Sequence, residues 1–231
     1  NSSGYSNLAL QVDSTSIAYV NFGNSVRSFT SGGAIVLTYF GYSPVYSVML
    51  DGSNNVYCGC SDGRIYKDNN AGTLIWAMPS TSYGLIPVSM CYDNAGNVYM
   101  TGNTANLIVK ADSSGNFVWN YAITANGMNI VADKVTGNTY TVDLAGYITK
   151  LNTSGGLVWS VLTGAALNGI CIDSSNNIYV VDANSYLKKY NSSGTFLYSI
   201  LLASVGLKCA IDSKNNILVS ATSNLIKVIQ R

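Results

Sequence analysis

Along the chain, short apolar runs alternate with polar turns rich in Gly, Asn, Asp and Ser. Within the runs, apolar positions recur at every second residue, the period of a half-buried β-strand. The 3.6-residue period of a helix is missing, and β-branched and aromatic residues are frequent throughout. The pattern also repeats. An Asp that closes an apolar stretch recurs at Asp13, Asp51, Asp93, Asp133, Asp173 and Asp212, at spacings of 38, 42, 40, 40 and 39. A small polar turn and a second strand follow most of these, as in Asn55-Val56-Tyr57, Asn97-Val98-Tyr99-Met100, Asn177-Ile178-Tyr179-Val180 and Asn216-Ile217-Leu218-Val219. A third strand ends in a basic residue five positions before a glycine: Arg27, Lys67, Lys110, Lys150 and Lys189 precede Gly32, Gly72, Gly115, Gly155 and Gly194. Lys227 is the counterpart in the last repeat. A fourth strand carries a large residue, as in Leu74-Ile75-Trp76, Phe117-Val118-Trp119, Leu157-Val158-Trp159 and Phe196-Leu197-Tyr198.

Four short strands per repeat of roughly 40 residues predict propeller blades. A β-sandwich has short strands too, but not six copies in register. The expected fold is all-β: a six-bladed β-propeller of four-stranded antiparallel blades, with residues 1–231 forming one propeller domain. Closure of the ring is the exception. The sixth repeat stops after its third strand, Leu225-Ile226-Lys227-Val228-Ile229, without a glycine turn or an outer strand. At the other end, Asn1-Ser2-Ser3-Gly4 matches Asn191-Ser192-Ser193-Gly194, but only Tyr5 and Ser6 precede the first inner strand around Leu8 to Val12. The last blade is therefore expected to lack a full outer strand. Its edge, marked by Leu225, Lys227 and Ile229, offers unpaired backbone groups for β-augmentation.

The segment Asp173-Ser174-Ser175-Asn176-Asn177-Ile178-Tyr179-Val180-Val181-Asp182, followed by Tyr186 to Gly194, resembles the NHL-type propeller repeat. The Gly-x-x-x-Trp spacing at Gly72/Trp76, Gly115/Trp119 and Gly155/Trp159 resembles the docking tryptophans of PQQ-type propellers. The resemblance covers essentially the whole chain and implies the fold. It implies little about function, because such propellers serve as enzymes, scaffolds and binding modules alike.

Composition narrows the function by exclusion. Charged residues are 10% of the 231, hydrophobic residues 48%, and 17 are Tyr. A net charge of +1 with no Lys/Arg run removes the electrostatic footprint of a nucleic-acid binder. No window reaches the ~18 apolar residues of a membrane span. The chain contains no His and no Glu. That takes away the commonest general base, the commonest metal ligand and half of the carboxylates, leaving Asp, Lys, Tyr or Cys for any acid–base chemistry. No enzymatic activity and no cofactor are expected. The start at Asn1-Ser2-Ser3, without an initiator Met or signal peptide, reads as a processed or trimmed form. The low-charge, Tyr/Asn/Ser/Thr-rich composition suits an extracellular protein or one on a cell or virion surface.

Each candidate site has a structural alternative. Asp51-Gly52-Ser53-Asn54-Asn55 and Asp93-Asn94-Ala95-Gly96-Asn97 suggest calcium loops, but an EF-type loop ends in a bidentate Glu. Asx turns account for these residues better. The basic residues of the third strands are expected to pack their stems between blades, with each head on an Asp or a backbone carbonyl. Cys58, Cys60, Cys91, Cys171 and Cys209 are read as small buried hydrophobes. Cys58 and Cys60 share one strand face beside the blade bearing Cys91, which allows one disulfide there. Asn1, Asn152 and Asn191 each begin an Asn-x-Ser sequon; Asn152 and Asn191 are the candidate glycosylation sites, and equally good turn formers.

The two longest loops, 40–46 and 79–87, are expected on adjacent blades. Tyr42, Tyr46 and Tyr83 on them would offer rigid amphipathic contact surface for protein or sugar. The leading expectation is a structural or self-assembling component of a surface layer, filament or virion, with a homo-oligomeric or other protein partner. The alternative is a carbohydrate- or peptide-binding module that uses the Tyr-rich loops.

Overall fold

The computed structural model describes residues 10–40, 43–78, 84–212 and 214–228. They form six antiparallel sheets arranged as blades. Blade one contains β1 (Leu10–Val12), β2 (Ala18–Phe22), β3 (Ser25–Phe29) and β4 (Ile35–Phe40). Blade two contains β5 (Val45–Leu50), β6 (Val56–Cys60), β7 (Ile65–Asp68) and β8 (Leu74–Ala77). Blade three contains β9 (Pro87–Tyr92), β10 (Val98–Gly102), β11 (Leu107–Ala111) and β12 (Phe117–Ala122). Blade four contains β13 (Gly127–Ala132), β14 (Thr139–Asp143), β15 (Tyr147–Leu151) and β16 (Leu157–Leu162). Blade five contains β17 (Leu167–Ile172), β18 (Ile178–Asp182), β19 (Tyr186–Tyr190) and β20 (Phe196–Leu201). Blade six has three strands among the described residues: β21 (Gly206–Ile211), β22 (Ile217–Ala221) and β23 (Leu225–Val228).

The turn from inner to second strand repeats because Asp and Asn chemistry specifies it. In blade five, Asp173 Oδ1 accepts from the backbone N–H groups of Ser175 (2.9 Å) and Asn177 (2.8 Å), and Oδ2 accepts from the Asn177 amide (2.8 Å) and the Tyr179 hydroxyl (3.0 Å). The residue three after the Asp takes a left-handed conformation in these turns, at Asn54 (φ 60), Asn176 (φ 58) and Asn215 (φ 60). Asn tolerates that region better than most side chains. Burial pushes the Asp173 carboxyl up, but the bonds from Asn177, Tyr179 and Ser175 outweigh it and hold the pKa below the usual range. Both carboxylate oxygens are thus occupied by donors of their own hairpin. These are the Asx turns expected from the sequence.

Alternation along each second strand then builds the core. In β10, Val98 and Met100 join Met49, Tyr57 and Met78 of blade two, while Tyr99 joins Ile130, Ala132 and Leu151 of blade four. β6, β10, β14 and β18 are buried at every position, because each has a blade on both faces. Five apolar clusters join blades one to two, two to three, three to four, four to five and five to six. Among the described residues, none joins six to one. β2 and β22 are only partly buried, and Leu10 (59% exposed), Val12 (58%) and Leu225 (71%) are exposed.

Two sequence expectations are corrected by register. Lys67 pairs with Trp76, Lys110 with Trp119 and Lys150 with Trp159, and in blade one it is Ser28 that pairs with Leu37. Arg27 lies one residue out of step, and its guanidinium stacks over Phe22 at 5.0 Å. The turn glycine of blade one is accordingly Gly33, whose N–H bonds Thr30 O (2.9 Å) as Gly72 N–H bonds Asn69 O (3.0 Å). The disulfide is excluded by the same alternation. Cys58 and Cys60 point into the core shared with blade one, Cys91 packs towards blade four, and all five cysteines are free thiols.

Asp68 occupies a position that Ala111, Leu151 and Tyr190 fill in other blades. It is buried, and desolvation alone raises its pKa to about 6. A carboxyl whose folded pKa lies above its unfolded value of about 3.9 stabilises the fold below that pH and loses the contribution as pH rises through about 6. Asp68→Asn should therefore gain about 1–3 kcal/mol over the parent on going from pH 4 to pH 7. Urea melts of both proteins at the two pH values measure this, and a pH-independent difference contradicts it.

Candidate functional site

The basic residues of the third strands belong to a repeated lock between blades. Lys110 Nζ donates to Thr153 O (2.8 Å) in the next blade's turn, and Trp119 Nε1 donates to the same carbonyl (3.1 Å). Lys150 (3.0 Å) and Trp159 (3.2 Å) likewise share Ser192 O. The lysine heads also lie over tyrosine faces: Lys67 over Tyr57 (4.9 Å), Lys110 over Tyr99 (5.2 Å), Lys150 over Tyr140 (5.0 Å) and Lys189 over Tyr179 (5.0 Å). Such contacts contribute about 0.5–2 kcal/mol each. Lys227, where Leu218 replaces the tyrosine, pairs with Asp212 at 3.4 Å. Lys110 and Lys150 thus tie neighbouring blades together, whereas the lysine–tyrosine contacts and the Lys227–Asp212 pair lie within single blades.

The inner strands of all six blades line a central channel of about 1030 Å³. Ser89, Asn129 and Asn168 face it, with Lys134, Lys208, Cys91, Cys171 and Cys209. Both lysines are engaged, Lys208 Nζ with Met128 O (2.9 Å) and Lys134 Nζ with Tyr92 O (2.6 Å), and burial lowers the pKa of each. Burial raises the Cys91 and Cys209 thiols far above their ordinary value, so they stay protonated and weakly nucleophilic at neutral pH. No Asp lines the channel. Among the described residues, no group of three His, Cys, Asp or Glu side chains could hold a metal ion, and no helix is long and apolar enough to cross a membrane.

The structure separates the residues singled out from the sequence. Tyr42, Tyr83 and Ile229 lie outside the described residues. Tyr46 is the second residue of β5 and lines the channel. Asn152 and Asn191 open equivalent exposed turns. Asn152 Oδ1 accepts from Ser154 N (3.0 Å) and Gly156 N (2.9 Å), and Asn191 Oδ1 accepts from Ser193 N (3.0 Å) and Thr195 N (2.9 Å). Leu225 and Lys227 lie on β23, which pairs with β22 on one side and has no described strand on the other.

A surface that sequence reasoning passed over is the rim. Each outer strand begins with two exposed large apolar residues: Ile35-Val36, Leu74-Ile75, Phe117-Val118, Leu157-Val158 and Phe196-Leu197. These ten side chains are 41–56% exposed and sit two and three residues beyond the turn glycine of their blade. They form an apolar girdle at one level around five blades. Burial of one face per strand would alternate; here both neighbours are half-exposed. The only signal in the sequence was two adjacent apolar residues before each aromatic.

No protein-family model and no curated protein matches the chain. Among solved structures, a chain in the crystal structure of the mitotic checkpoint complex superimposes with a TM-score of 0.80 at 11% identity, covering 98% of this chain and 77% of that one. At that identity the likeness is one of fold: the chain is a six-bladed β-propeller whose last described blade is three-stranded.

Proposed function

We propose that this propeller is a non-enzymatic protein-docking module, and specifically a structural, self-assembling component that works outside the cell or on a virion surface. The observation that carries the reading is the girdle of paired apolar residues on the rim. Contiguous exposed apolar surface marks interaction sites on soluble proteins, and here it recurs at matching positions on consecutive blades. A low density of charge supports the same reading, since charged residues are depleted at the centres of protein interfaces. The channel supports it indirectly: its lysines are tied to carbonyls and its thiols are protonated, so it offers no paired acid and base. The NHL-like repeat with PQQ-like docking tryptophans is part of the proposal, resting on the Asp-turn network and on the tryptophan-to-turn bonds described above.

Light scattering after size-exclusion chromatography, with electron microscopy of the same fractions, tests the reading. The parent chain should self-associate, and Leu157→Lys with Val158→Lys should weaken association at least tenfold, or about 1.4 kcal/mol. Folding stability should change by no more than about 0.5 kcal/mol, because both side chains are half-exposed. A parent that stays monomeric at high concentration overturns the assembly reading.

A further inference from the structure

The cysteines fall into two groups. Cys58 and Cys60 face the core between blades one and two, and Cys91 packs towards blade four. Cys171 and Cys209, in contrast, meet at the interface between blades five and six, in one apolar cluster with Tyr179, Val181, Ile217 and Val219. Strand register sets the direction of each. Gly169 and Cys171 share the face of β17 turned to blade six: a Cβ on Gly169 would stand 2.8 Å from Lys208 Cα and 3.1 Å from Leu207 O. The missing side chain at Gly169 is what lets β21 come this close to β17. Ile170, between the two, joins the cluster shared with blade four instead. Cys209 holds the matching position on β21, since Ile170 pairs with Val180 and Cys209 with Val219. Like Ile170, it turns back towards the preceding blade. Its Sγ donates to Tyr179 O (3.5 Å), the carbonyl of the residue that pairs with Cys171. The two thiols also share a side-chain hydrogen bond.

We propose that Cys171 and Cys209 form an oxidation site, a dithiol that a peroxide converts to a disulfide clamping blade six to blade five. Cys209 is only partly buried, and both cysteines line the channel, whose volume of about 1030 Å³ admits a molecule as small as hydrogen peroxide. The Cys209 sulfur attacks the O–O bond. An S–O bond forms, the O–O bond breaks, and the departing hydroxide leaves as water with the thiol proton. The Cys171 sulfur then attacks the sulfenic sulfur, forming the S–S bond as the S–O bond breaks, and a second water leaves with the Cys171 proton. Two thiols have lost two electrons and the peroxide has gained them. Burial keeps Cys209 protonated at neutral pH and makes the first step slow, while the Lys208 charge beside it favours the thiolate. The second step is fast because the resolving thiol is already in contact. A bridge from residue 171 to residue 209 removes freedom from the unfolded chain and ties down the blade with three described strands. It persists in an oxidising compartment and opens in a reducing one. The pair lies inside the ring, so this reading and that of the rim girdle can fail independently.

The test treats chain 1–231 with hydrogen peroxide under native conditions and maps it with trypsin in the absence of reductant. Cleavage after Lys150, Lys188, Lys208 and Lys214 leaves Cys171 on peptide 151–188 and Cys209 on peptide 209–214. The two should be recovered joined, at the sum of their masses less two hydrogens, and a reductant should separate them. The oxidised chain should melt at least about 4 °C above the reduced one. Cys209→Ala should remove both the joined pair and the shift, and the map of the parent chain carries the test if that variant does not fold. Three results overturn the proposal: both thiols still free once a cysteine peptide in the same solution is fully oxidised, Cys209 recovered as sulfinic or sulfonic acid, or peptide 209–214 joined to another cysteine or to a second chain. A joined pair with an unchanged melting temperature overturns the clamp.

Discussion

Asp93→Ala is expected to cost about 3–5 kcal/mol of folding free energy, because it strips a buried carboxylate from four donors at once. Asp93 is 4% exposed. It accepts from Ala95 N (3.0 Å), Asn97 N (2.9 Å), the Asn97 amide (2.8 Å) and the Tyr99 hydroxyl (2.9 Å). Tyr99 is fully buried, so its hydroxyl would keep Gly137 O (3.1 Å) and lose its stronger, charged partner. Asp112→Ala in the exposed turn between β11 and β12 is the control. Water can replace the carboxylate there, and the cost should be several-fold smaller. Chemical denaturation of the two variants measures the difference. Equal losses would mean that burial contributes nothing to this network.

Gly155→Val should cost about 3 kcal/mol or more, from two sources that can be separated. Gly155 has φ 85, a conformation that costs a β-branched residue about 1–2 kcal/mol. The added Cβ would also stand 2.8 Å from Trp119 Cδ2. The indole must then move, which loosens its bond to Thr153 O and the contact between blades three and four. Gly33→Val isolates the first source, since φ there is 82 and no described neighbour meets the new atom. Gly155→Val should thus lower the melting temperature by several degrees more than Gly33→Val, at about 2–4 °C per kcal/mol for a chain of this size. Equal shifts would place the whole effect in the backbone and remove the tryptophan lock from the account of blade packing.

Much of this architecture was legible in the amino-acid order because its determinants are local. Asp173 binds the backbone only two and four residues ahead, so an Asx turn can be read from Asp-Ser-Ser-Asn-Asn without knowing where the blade lies. Strand alternation in β6, β10 and β18 was equally plain. The register of blade one was not. Arg27 and Ser28 are both compatible with the repeat on spacing alone, and only the pairing of Ser28 with Leu37 places Arg27 on the opposite face. The cysteines mislead for a related reason. Cys58, Cys60 and Cys91 lie in neighbouring blades, but the face each presents depends on pairing, and the pairing points them apart. Tyr46 was assigned to a loop by the length of its segment, yet the β5 pairing extends back to Val45 and draws the tyrosine to the channel.

Taken by itself, the sequence determined the number of blades, the place of each strand and the Asp turns. All of these follow from short-range chemistry repeated six times. Tertiary structure alone decided what is covered. Blades radiate from a common axis, so neighbouring sheets diverge with distance from the channel. The same Leu-Val or Phe-Val pair that a central strand would bury is left half-exposed on β12 or β16.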